Sequence, residues 1–512
     1  MPFNPQGMSS EMKSRTFFFY YLIISLVLIS APSIPGVNAQ EQNNWWSSPL
    51  RLSSTQGKAS EAYMATDQYG YVHTFWTEYL SDDRTIIQYS RFDGESWTVP
   101  FDIYISKPFF TIGNLSPVVD QHGTLHFMWT EANGKYIMYS RAPAHDALSA
   151  QKWEKPYQIN IAANVVKLKI DSNDVFHILF TREIGLQPGV FYSSSEDEGF
   201  SWSDPTWLDQ DILSGYFPAS LQFEMDDYGG LHAAWYYSAQ DGSGGDWVRY
   251  AHSSDAGRTW SSPYTIDRVG EIVGEVDYQL NAADPVMIVN GRDVQIVWAG
   301  GKLHYRHHRI SRDLGQTWSP STRFMGDLNG QAGDGLVVDG LGRVHYFAQI
   351  RFPMGIYHAI WSQDHWSLPE LIYLIKYESS SEKDGTTSNT IGDRIMAHAT
   401  YPIILSGNQL ILTFTDPPPD PQRRLFVMYR NLEDVPKSTT IPTPTEMATL
   451  APQLIPTLVP TLKATELPAS LRINPSSASV SSPGYAISLG FIPALILVIV
   501  AIIVQFLAKH KH

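Results

Sequence analysis

The chain has 512 residues, a formal net charge of −15, 17% charged residues and 13% aromatic residues. Its acidic balance excludes a nucleic-acid partner, because phosphate binding needs a basic surface that releases counterions. The lack of cysteine excludes disulfides and thiolate metal sites, and we expect neither a cofactor nor a bound metal.

An apolar segment near the N-terminus predicts that the chain is exported. Lys13 and Arg15 precede the apolar run 17–29, and residues 37–39 are small enough for cleavage. This order is typical of a secretory signal peptide, which we assign to residues 1–39. An uncleaved N-terminal anchor is the alternative.

The pattern Asp-x-x-Gly-x-Leu/Val-His-x-x-Trp recurs along residues 40–430, roughly once in fifty residues, the period of a propeller blade. Alternating apolar and polar residues around it predict half-buried antiparallel strands. Strong copies begin at Asp67, Asp120, Asp226 and Asp339, and weaker ones lie near Asp171, Asn290 and Ser406. We therefore predict an all-β propeller of four-stranded antiparallel blades, seven in number, with six as the alternative.

A lone strand signature stands before the first repeat. Each unit should end in a Trp-Ser-x-Pro strand, yet none follows Tyr429 in the last unit, whereas one begins at Trp46. Pairing the two would complete the ring and remove an exposed sheet edge. We predict that the N-terminal strand closes the last blade.

The histidines of the repeat have the same position in each unit. Ring symmetry would disperse them around the propeller, whereas a metal needs ligands that converge on one point. We therefore predict a structural role for His73, His126, His177, His232 and His345.

A second motif, Ser-x-Asp-x-Gly-x-Thr/Ser-Trp, occurs between third and fourth strands. Its Ser and Asp oxygens can satisfy nearby N–H groups, its Gly permits a positive φ, and its Trp anchors the turn in the core. The copies are Ser195, Asp197, Gly199 and Trp202; Ser253, Asp255, Gly257 and Trp260; and Ser311, Asp313, Gly315 and Trp318. The motif resembles the Asp-box, or BNR repeat, of sialidase-like β-propellers, in which the box lies away from the active site.

The resemblance implies a possible chemistry. Sialidases of this superfamily hold a carboxylate with three arginines and use a Tyr activated by a Glu as nucleophile. In this sequence Tyr278 with Glu275 is the candidate nucleophile pair, and Glu61 is a further candidate catalytic carboxylate. Arg51 lies in Leu50-Arg51-Leu52, which lacks the Pro of the family's N-terminal arginine motif.

Propellers bind ligands where loops meet at the axis, which selects side chains that follow second strands. The candidate ligand-binding residues are Glu78, Glu131, Arg182, Glu183, Tyr237 and Arg351. Two of the carboxylates would suit a glycosidase pair, and the arginines would suit a sialidase-type site. The insertion 377–399 should form a long loop on the side where fourth strands return to first strands.

The composition changes after residue 430. Residues 431–484 are rich in Pro, Thr and Ser, which predicts an extended stalk. Residues 485–507 are apolar and long enough for a transmembrane helix. Lys509 and Lys511 then place the tail, residues 508–512, in the cytoplasm.

These features predict a single-pass surface protein whose extracellular propeller binds glycans or a surface protein partner without catalysis. The alternative is an exo-glycosidase of sialidase type, and a structural assembly module is a third class. Arginines that converge beside a Tyr–Glu pair would favour the enzyme, whereas a funnel of unlinked side chains would favour binding.

Overall fold

The Asp-x-x-Gly repeats form tight turns that join first strands to second strands. At the first turn the Asp67 carboxylate accepts hydrogen bonds from the N–H groups of Tyr69 and Tyr71, at 3.0 and 2.9 Å. Gly70 has a φ of 91°, a conformation that glycine adopts without strain. The same carboxylate contacts recur at Asp120, Asp171, Asp226 and Asp339.

The computed structural model describes residues 45–438 apart from a set of internal gaps. The gaps are 55–57, 81–82, 133, 183–187, 212–214, 241–243, 269–281, 302, 331–332, 352, 376–400 and 417–423. Within the described residues the strands form seven antiparallel sheets, which are the blades of the propeller. The prediction of seven blades is confirmed, and the six-bladed alternative is wrong.

The strands are numbered in chain order, and β1 (Leu50–Arg51) belongs to the last blade. Blade 1 contains β2 (Lys58–Ala59), β3 (Tyr63–Thr66), β4 (Val72–Tyr79), β5 (Thr85–Phe92) and β6 (Phe101–Ile105). Blade 2 contains β7 (Ile112–Val119), β8 (Thr124–Glu131), β9 (Tyr136–Pro143) and β10 (Tyr157–Ile159). Blade 3 contains β11 (Val165–Ile170), β12 (Phe176–Arg182), β13 (Gly189–Ser195) and β14 (Thr206–Trp207).

The second half of the ring follows the same order. Blade 4 contains β15 (Tyr216–Met225), β16 (Leu231–Ala239), β17 (Gly245–Ser253) and β18 (Tyr264–Arg268). Blade 5 contains β19 (Ala282–Asn290), β20 (Asp293–Gly300), β21 (Tyr305–Ser311) and β22 (Thr322–Arg323). Blade 6 contains β23 (Asp334–Val338), β24 (Val344–Arg351), β25 (Met354–Ser362), β26 (His365–Trp366) and β27 (Glu370–Leu374). Blade 7 contains β28 (Tyr401–Leu405), β29 (Gln409–Asp416), β30 (Arg424–Asn431) and β1.

The N-terminal strand closes the ring, as the sequence predicts. In β1, Leu50 pairs with Val427 and Arg51 pairs with Phe426 of β30. Trp46 is buried and packs edge-on against Phe347 of blade 6, with ring centroids 5.6 Å apart. The N-terminal segment therefore pairs with blade 7 through its backbone and packs against blade 6 through Trp46.

The core lies between neighbouring blades. The second strands supply its largest side chains, since Trp76, Trp129, Trp235 and Trp298 have at most 1% of their surface exposed. The first strands of neighbouring blades contact one another around the whole ring. Because these first strands have one unpaired edge at the axis, they tolerate prolines such as Pro117.

The three Ser-x-Asp-x-Gly motifs fold into the same turn. In the copy that ends at Trp260, Gly257 N donates to Ser253 Oγ and Thr259 N donates to Asp255 Oδ1, both at 2.8 Å. Hydrogen bonds from Thr259 hold the pKa of Asp255 below its usual range. The corresponding bonds form in the copies that begin at Ser195 and Ser311.

The repeated histidines also have a common environment. His232 Nε2 lies 3.1 Å from Asp226 Oδ2, and His232 Nδ1 lies 2.6 Å from Tyr250 Oη. His73, His126 and His177 each contact the Asp and the Tyr of their own blade, and His345 contacts Asp339 and His358. These contacts support the structural role predicted for the histidines.

Residues assigned from composition to the stalk begin on the propeller. Leu432 and Val435 are buried, and Ser438 N donates to Ser406 O at 2.9 Å. The predicted signal peptide, the insertion 377–399, the rest of the stalk, the transmembrane segment and the tail lie outside the described residues. Among the residues described between 45 and 438, no helix has the length and apolar character needed to span a membrane.

Candidate ligand-binding channel

The first strands of all seven blades surround a cavity of about 620 Å³ on the propeller axis, which we call the channel. First strands begin where second strands end, as the pairing of Ile112 with Glu131 and of Tyr401 with Thr413 shows. We call this end of the propeller the channel face. The opposite end, the box face, carries the Asp-x-x-Gly turns and the Ser-x-Asp-x-Gly turns.

Bulges interrupt the first strands near the channel face. In blades 2, 4 and 5 the pairing with the second strand shifts within a few residues, and Asn114, Ser220 and Asp284 lie at the shifts with φ values of 46–50°. In blade 1, Ala59 pairs with Glu78 but Tyr63 pairs with Phe75, which leaves one extra residue near Glu61. A bulge redirects side chains, and bulges are frequent beside functional sites.

The four bulged strands place polar side chains in the channel wall. Glu61, Asn114, Ser220 and Asp284 all line the cavity and are half-buried. Positive φ is uncommon outside glycine, so three of these residues have a backbone conformation that the surrounding sheet must stabilise. The channel face is therefore where the regular repeat is broken in favour of polar groups.

Two tyrosines and a lysine lie beside Glu61. The rings of Tyr63 and Tyr401 have centroids 4.9 Å apart, and the Lys167 ammonium lies 5.3 Å from the centre of the Tyr63 ring. Burial, followed by the neighbouring Tyr401 and Glu61, holds the pKa of Tyr63 well above its usual range. Burial and Glu61 raise the pKa of Tyr401 in the same way. Both hydroxyls thus stay protonated at neutral pH, and the Tyr63 hydroxyl is hydrogen-bonded to Tyr401 and Glu61.

Two cations in the channel wall form no close ion pair with any described residue, although the more distant charges of Glu224 and Glu61 attract Lys167. Lys167 makes the ring contact with Tyr63 but no hydrogen bond or ion pair there. Burial and the nearby Lys169 lower the pKa of Lys167 to about 8, so that most molecules carry the charge at pH 7. The Arg351 Nε is buried without a hydrogen-bond acceptor within the same described ranges.

The remaining channel cations and several of its carboxylates are engaged within the wall. Lys169 donates to Glu224 at 2.7 Å, and Ser220 Oγ donates to Asp284 at 3.0 Å. Asp334 accepts from the fully buried Arg306 at 2.6 and 3.1 Å. These pairs fix the wall, which leaves Lys167 and Arg351 as the cations available to an incoming anion.

Glu61 and Arg351 are the sequence-predicted site residues that line the channel. Glu78 and Glu131 do not line it, contrary to the expectation that they face the funnel. Glu78 is 1% exposed and accepts hydrogen bonds from Ser54 and from the Trp76 indole. Glu131 is 4% exposed and accepts from the Tyr104 hydroxyl at 2.9 and 3.1 Å. Both carboxylates are occupied because neighbouring segments cover the ends of their strands.

Tyr237 and Arg182 also lie away from the channel. Tyr237 is fully buried in the core between blades 3 and 4. Arg182 lies over the rings of Phe180 and Phe191 and donates to Ala162 O at 3.3 Å. A sialidase-type site would need arginines that converge on the axis. Arg182 does not lie there with Arg351.

Tyr278, Glu275 and Glu183 lie outside the described residues. Sequence reasoning missed Tyr63, Lys167 and Tyr401, although one signal was present. Lys167 and Lys169 alternate with apolar residues in a first strand, and charges at such axis-facing positions point into a channel. In the described part of the chain, no group of three or more His, Asp or Glu is placed to hold a metal ion.

No protein-family model and no curated protein matches the chain. Among solved structures, the polysaccharide lyase Uly1 is 10% identical over 72% of this chain and 89% of that chain, with a TM-score of 0.49. A protein of unknown function from Dyadobacter fermentans is 14% identical over 75% and 98%, with a TM-score of 0.45. The NanB sialidase from Streptococcus pneumoniae is 14% identical over 76% and 71%, with a TM-score of 0.40. At these values the propeller fold rests on the strand pairing described above.

Proposed function

We propose that this protein is a non-catalytic glycan-binding propeller and that the channel binds a glycan carrying an acidic group. The observation that carries the proposal is that Lys167 and Arg351 form no close ion pair with any described residue, in a channel whose wall also contains Tyr63 and Tyr401. Sites for small ligands combine aromatic side chains with a few placed polar groups. Here the cations bind a carboxylate or sulfate, and the tyrosines donate to sugar oxygens.

An exo-glycosidase of sialidase type is the competing function. The observation in its favour is that Glu61 lies beside Tyr63, a carboxylate next to a phenol on the axis. Two observations weigh against it. Arg182 and Arg351 do not converge, and the raised pKa of Tyr63 makes its hydroxyl a hydrogen-bond donor rather than a ready nucleophile.

Glycan panels test the binding function. The whole protein is titrated with uronate-bearing, sulfated, sialylated and neutral oligosaccharides. We expect binding of acidic members and a loss of affinity of at least about tenfold in Lys167→Met, since a hydrogen bond to a charged group contributes roughly 1.5–3 kcal/mol. Binding to none of the panel, or equal binding of neutral glycans, contradicts the proposal.

A fluorogenic sialoside tests the competing function. The binding proposal expects no release of the fluorophore by the whole protein. Release that is lost in Tyr63→Phe would establish the enzyme instead, because that substitution removes only the hydroxyl. A surface protein partner remains the second type of binding target, and it would be favoured if Lys167→Met abolished cell-surface binding while every free glycan failed to bind.

We further propose that the propeller is extracellular and anchored by one C-terminal helix. The support is the order of the sequence features, namely a predicted signal peptide at 1–39, a segment rich in Pro, Thr and Ser that follows residue 438, and an apolar segment at 485–507 followed by lysines. Protease added to intact cells should release the propeller by cutting the stalk. Protection of the propeller from the protease would contradict this topology.

A further inference from the structure

A second cavity, of about 340 Å³, adjoins the channel between blades 1 and 2, and we call it the groove. Glu61, Tyr63, Asn114 and Leu115 line both the channel and the groove. The two spaces are therefore neighbours that meet at Glu61 and Asn114.

The bulges explain why the groove opens between these two blades. Blades 4 and 5 are also neighbours with bulged first strands, but there Ser220 Oγ donates to Asp284 and links the two bulges. In blade 2 the side chain of Asn114 turns the other way and donates to Asn164 O at 2.8 Å. The equivalent junction between Glu61 and Asn114 thus lacks the cross-link and remains open.

The groove ends in side chains suited to a sugar. Tyr79 lines it with 43% of its surface exposed, and its hydroxyl makes no hydrogen bond to any residue that the structure describes. Lys58 pairs with Tyr79 across β2 and β4, and its exposed ammonium also borders the groove. An aromatic face beside a cation and several backbone polar groups matches the amphipathic surface of a pyranose.

We propose that the ligand is an oligosaccharide of at least two units, with one unit in the channel beside Tyr63 and the next in the groove against Tyr79. This inference rests on the proposed function, since it extends the glycan bound in the channel. Each cavity has a volume within the range of small-ligand sites, about 300–1,000 Å³. The bulged residues Glu61 and Asn114 flank the linkage between the two units.

Length series of oligosaccharides test the groove. Uronate, sulfated and neutral series of one to six units are titrated into the whole protein by calorimetry. We expect the affinity for the bound series to rise between one and two units. Tyr79→Ala should lower the affinity for the longer members by about fivefold to tenfold and leave the single unit unchanged, because only the second unit contacts that ring.

Tyr228→Ala is the matched control, because Tyr228 is 68% exposed on the Asp226 turn of the box face. It should leave every member of the series unchanged. An affinity that does not depend on oligosaccharide length would overturn the proposal that the second unit binds in the groove. Equal losses of affinity for one unit and for several units in Tyr79→Ala would do the same. Either result leaves the proposal of channel binding intact. If no series binds, the proposed function fails and the groove fails with it.

Discussion

The two faces of this propeller are built on different principles. On the box face, three turns share the same Ser, Asp and Gly hydrogen bonds, and four of the five buried histidines contact an Asp and a Tyr of their own blade. On the channel face, four first strands carry an extra residue and the side chains differ from blade to blade. Contacts repeated from blade to blade stabilise the fold, whereas the polar residues that break the repeat mark the proposed binding site.

The largest expected effect comes from a glycine of the box face. A Cβ added at Gly257 would lie 2.0 Å from the Tyr192 hydroxyl of the preceding blade, and the residue has a φ of 84°. We expect Gly257→Ala to lower the free energy of unfolding by about 3 kcal/mol, through left-handed strain and displacement of a buried ring. Urea unfolding followed by tryptophan fluorescence measures the loss.

Gly229→Ala is its matched control. Gly229 has a φ of 82°, but a Cβ there would meet no atom within 4 Å. Gly229→Ala should lower the free energy of unfolding only by the cost of the left-handed backbone, about 1 kcal/mol. Equal losses in the two variants would show that the Gly257 turn does not join neighbouring blades.

The histidines of the box face predict a pH-dependent stability. Burial lowers the pKa of His73, His177, His232 and His345 in the folded chain. A folded pKa below the unfolded value of 6.5 means that the unfolded chain binds more protons, so stability is present above pH 6.5 and is lost as the pH falls below it. The melting temperature should therefore drop between pH 7 and pH 5.

His232→Gln isolates one of these groups. Gln295 holds the equivalent position in blade 5 and lies 3.1 Å from His308, so glutamine suits this site. His232→Gln should lower the free energy of unfolding by about 1–2 kcal/mol at pH 7, because its hydrogen bonds are altered. Between pH 7 and pH 5 it should lose less stability than the wild type. His122→Gln is the control, because Asp174 raises the pKa of the exposed His122 and protonation of His122 therefore favours the folded chain. Unlike His232→Gln, it should not make the loss of stability at low pH shallower. An unchanged slope in His232→Gln would contradict the assignment.

The smallest effect on stability is expected on the channel face. Lys167 has a folded pKa lowered to about 8, so its charged form is disfavoured by folding. Lys167→Met should therefore stabilise the protein at pH 7, by about 1 kcal/mol. The unfolded chain holds more protons between pH 8 and pH 10, so the wild type should gain stability over that range and the variant should not. Destabilisation of the variant would identify Lys167 as a structural residue.

The same titration should govern binding. The ammonium loses its charge as the pH rises through about 8, so the affinity for an acidic glycan should fall between pH 7 and pH 9. Calorimetry at the two pH values measures the change. A loss that persists in Lys167→Met would assign the pH dependence to another group.

Sequence reasoning predicted the repeated turns of the box face and missed several side chains of the channel face. The Asp-x-x-Gly turns were sufficient to predict seven blades, and the lone strand at Trp46 was sufficient to predict closure of the ring. Both patterns are visible in the sequence because each blade must satisfy the same backbone hydrogen bonds. Glu61 was predicted as a candidate catalytic carboxylate, and it lines the channel. Glu78 and Glu131 were chosen because they follow second strands, but they are covered by Ser54 and Tyr104, and these contacts do not recur from blade to blade.

The sequence contains a partial signal for the bulges. In three first strands a polar residue follows a small one, at Gly113-Asn114, Ala219-Ser220 and Ala283-Asp284. The shift in pairing depends on the register of two strands, and a sequence pattern of period two does not reveal it. Tyr63 and Tyr401 come together only because the last blade closes against the first.

A calorimetric titration of two lysine variants tests most directly whether binding belongs to the channel face. The tightest acidic oligosaccharide of the panel is titrated into the whole protein, Lys167→Met and Lys152→Met. Lys152 is exposed on the box face, in the connection between β9 and β10. We predict at least about a tenfold loss of affinity in Lys167→Met and none in Lys152→Met. Unchanged binding in Lys167→Met, or an equal loss in Lys152→Met, would contradict the assignment of binding to the channel.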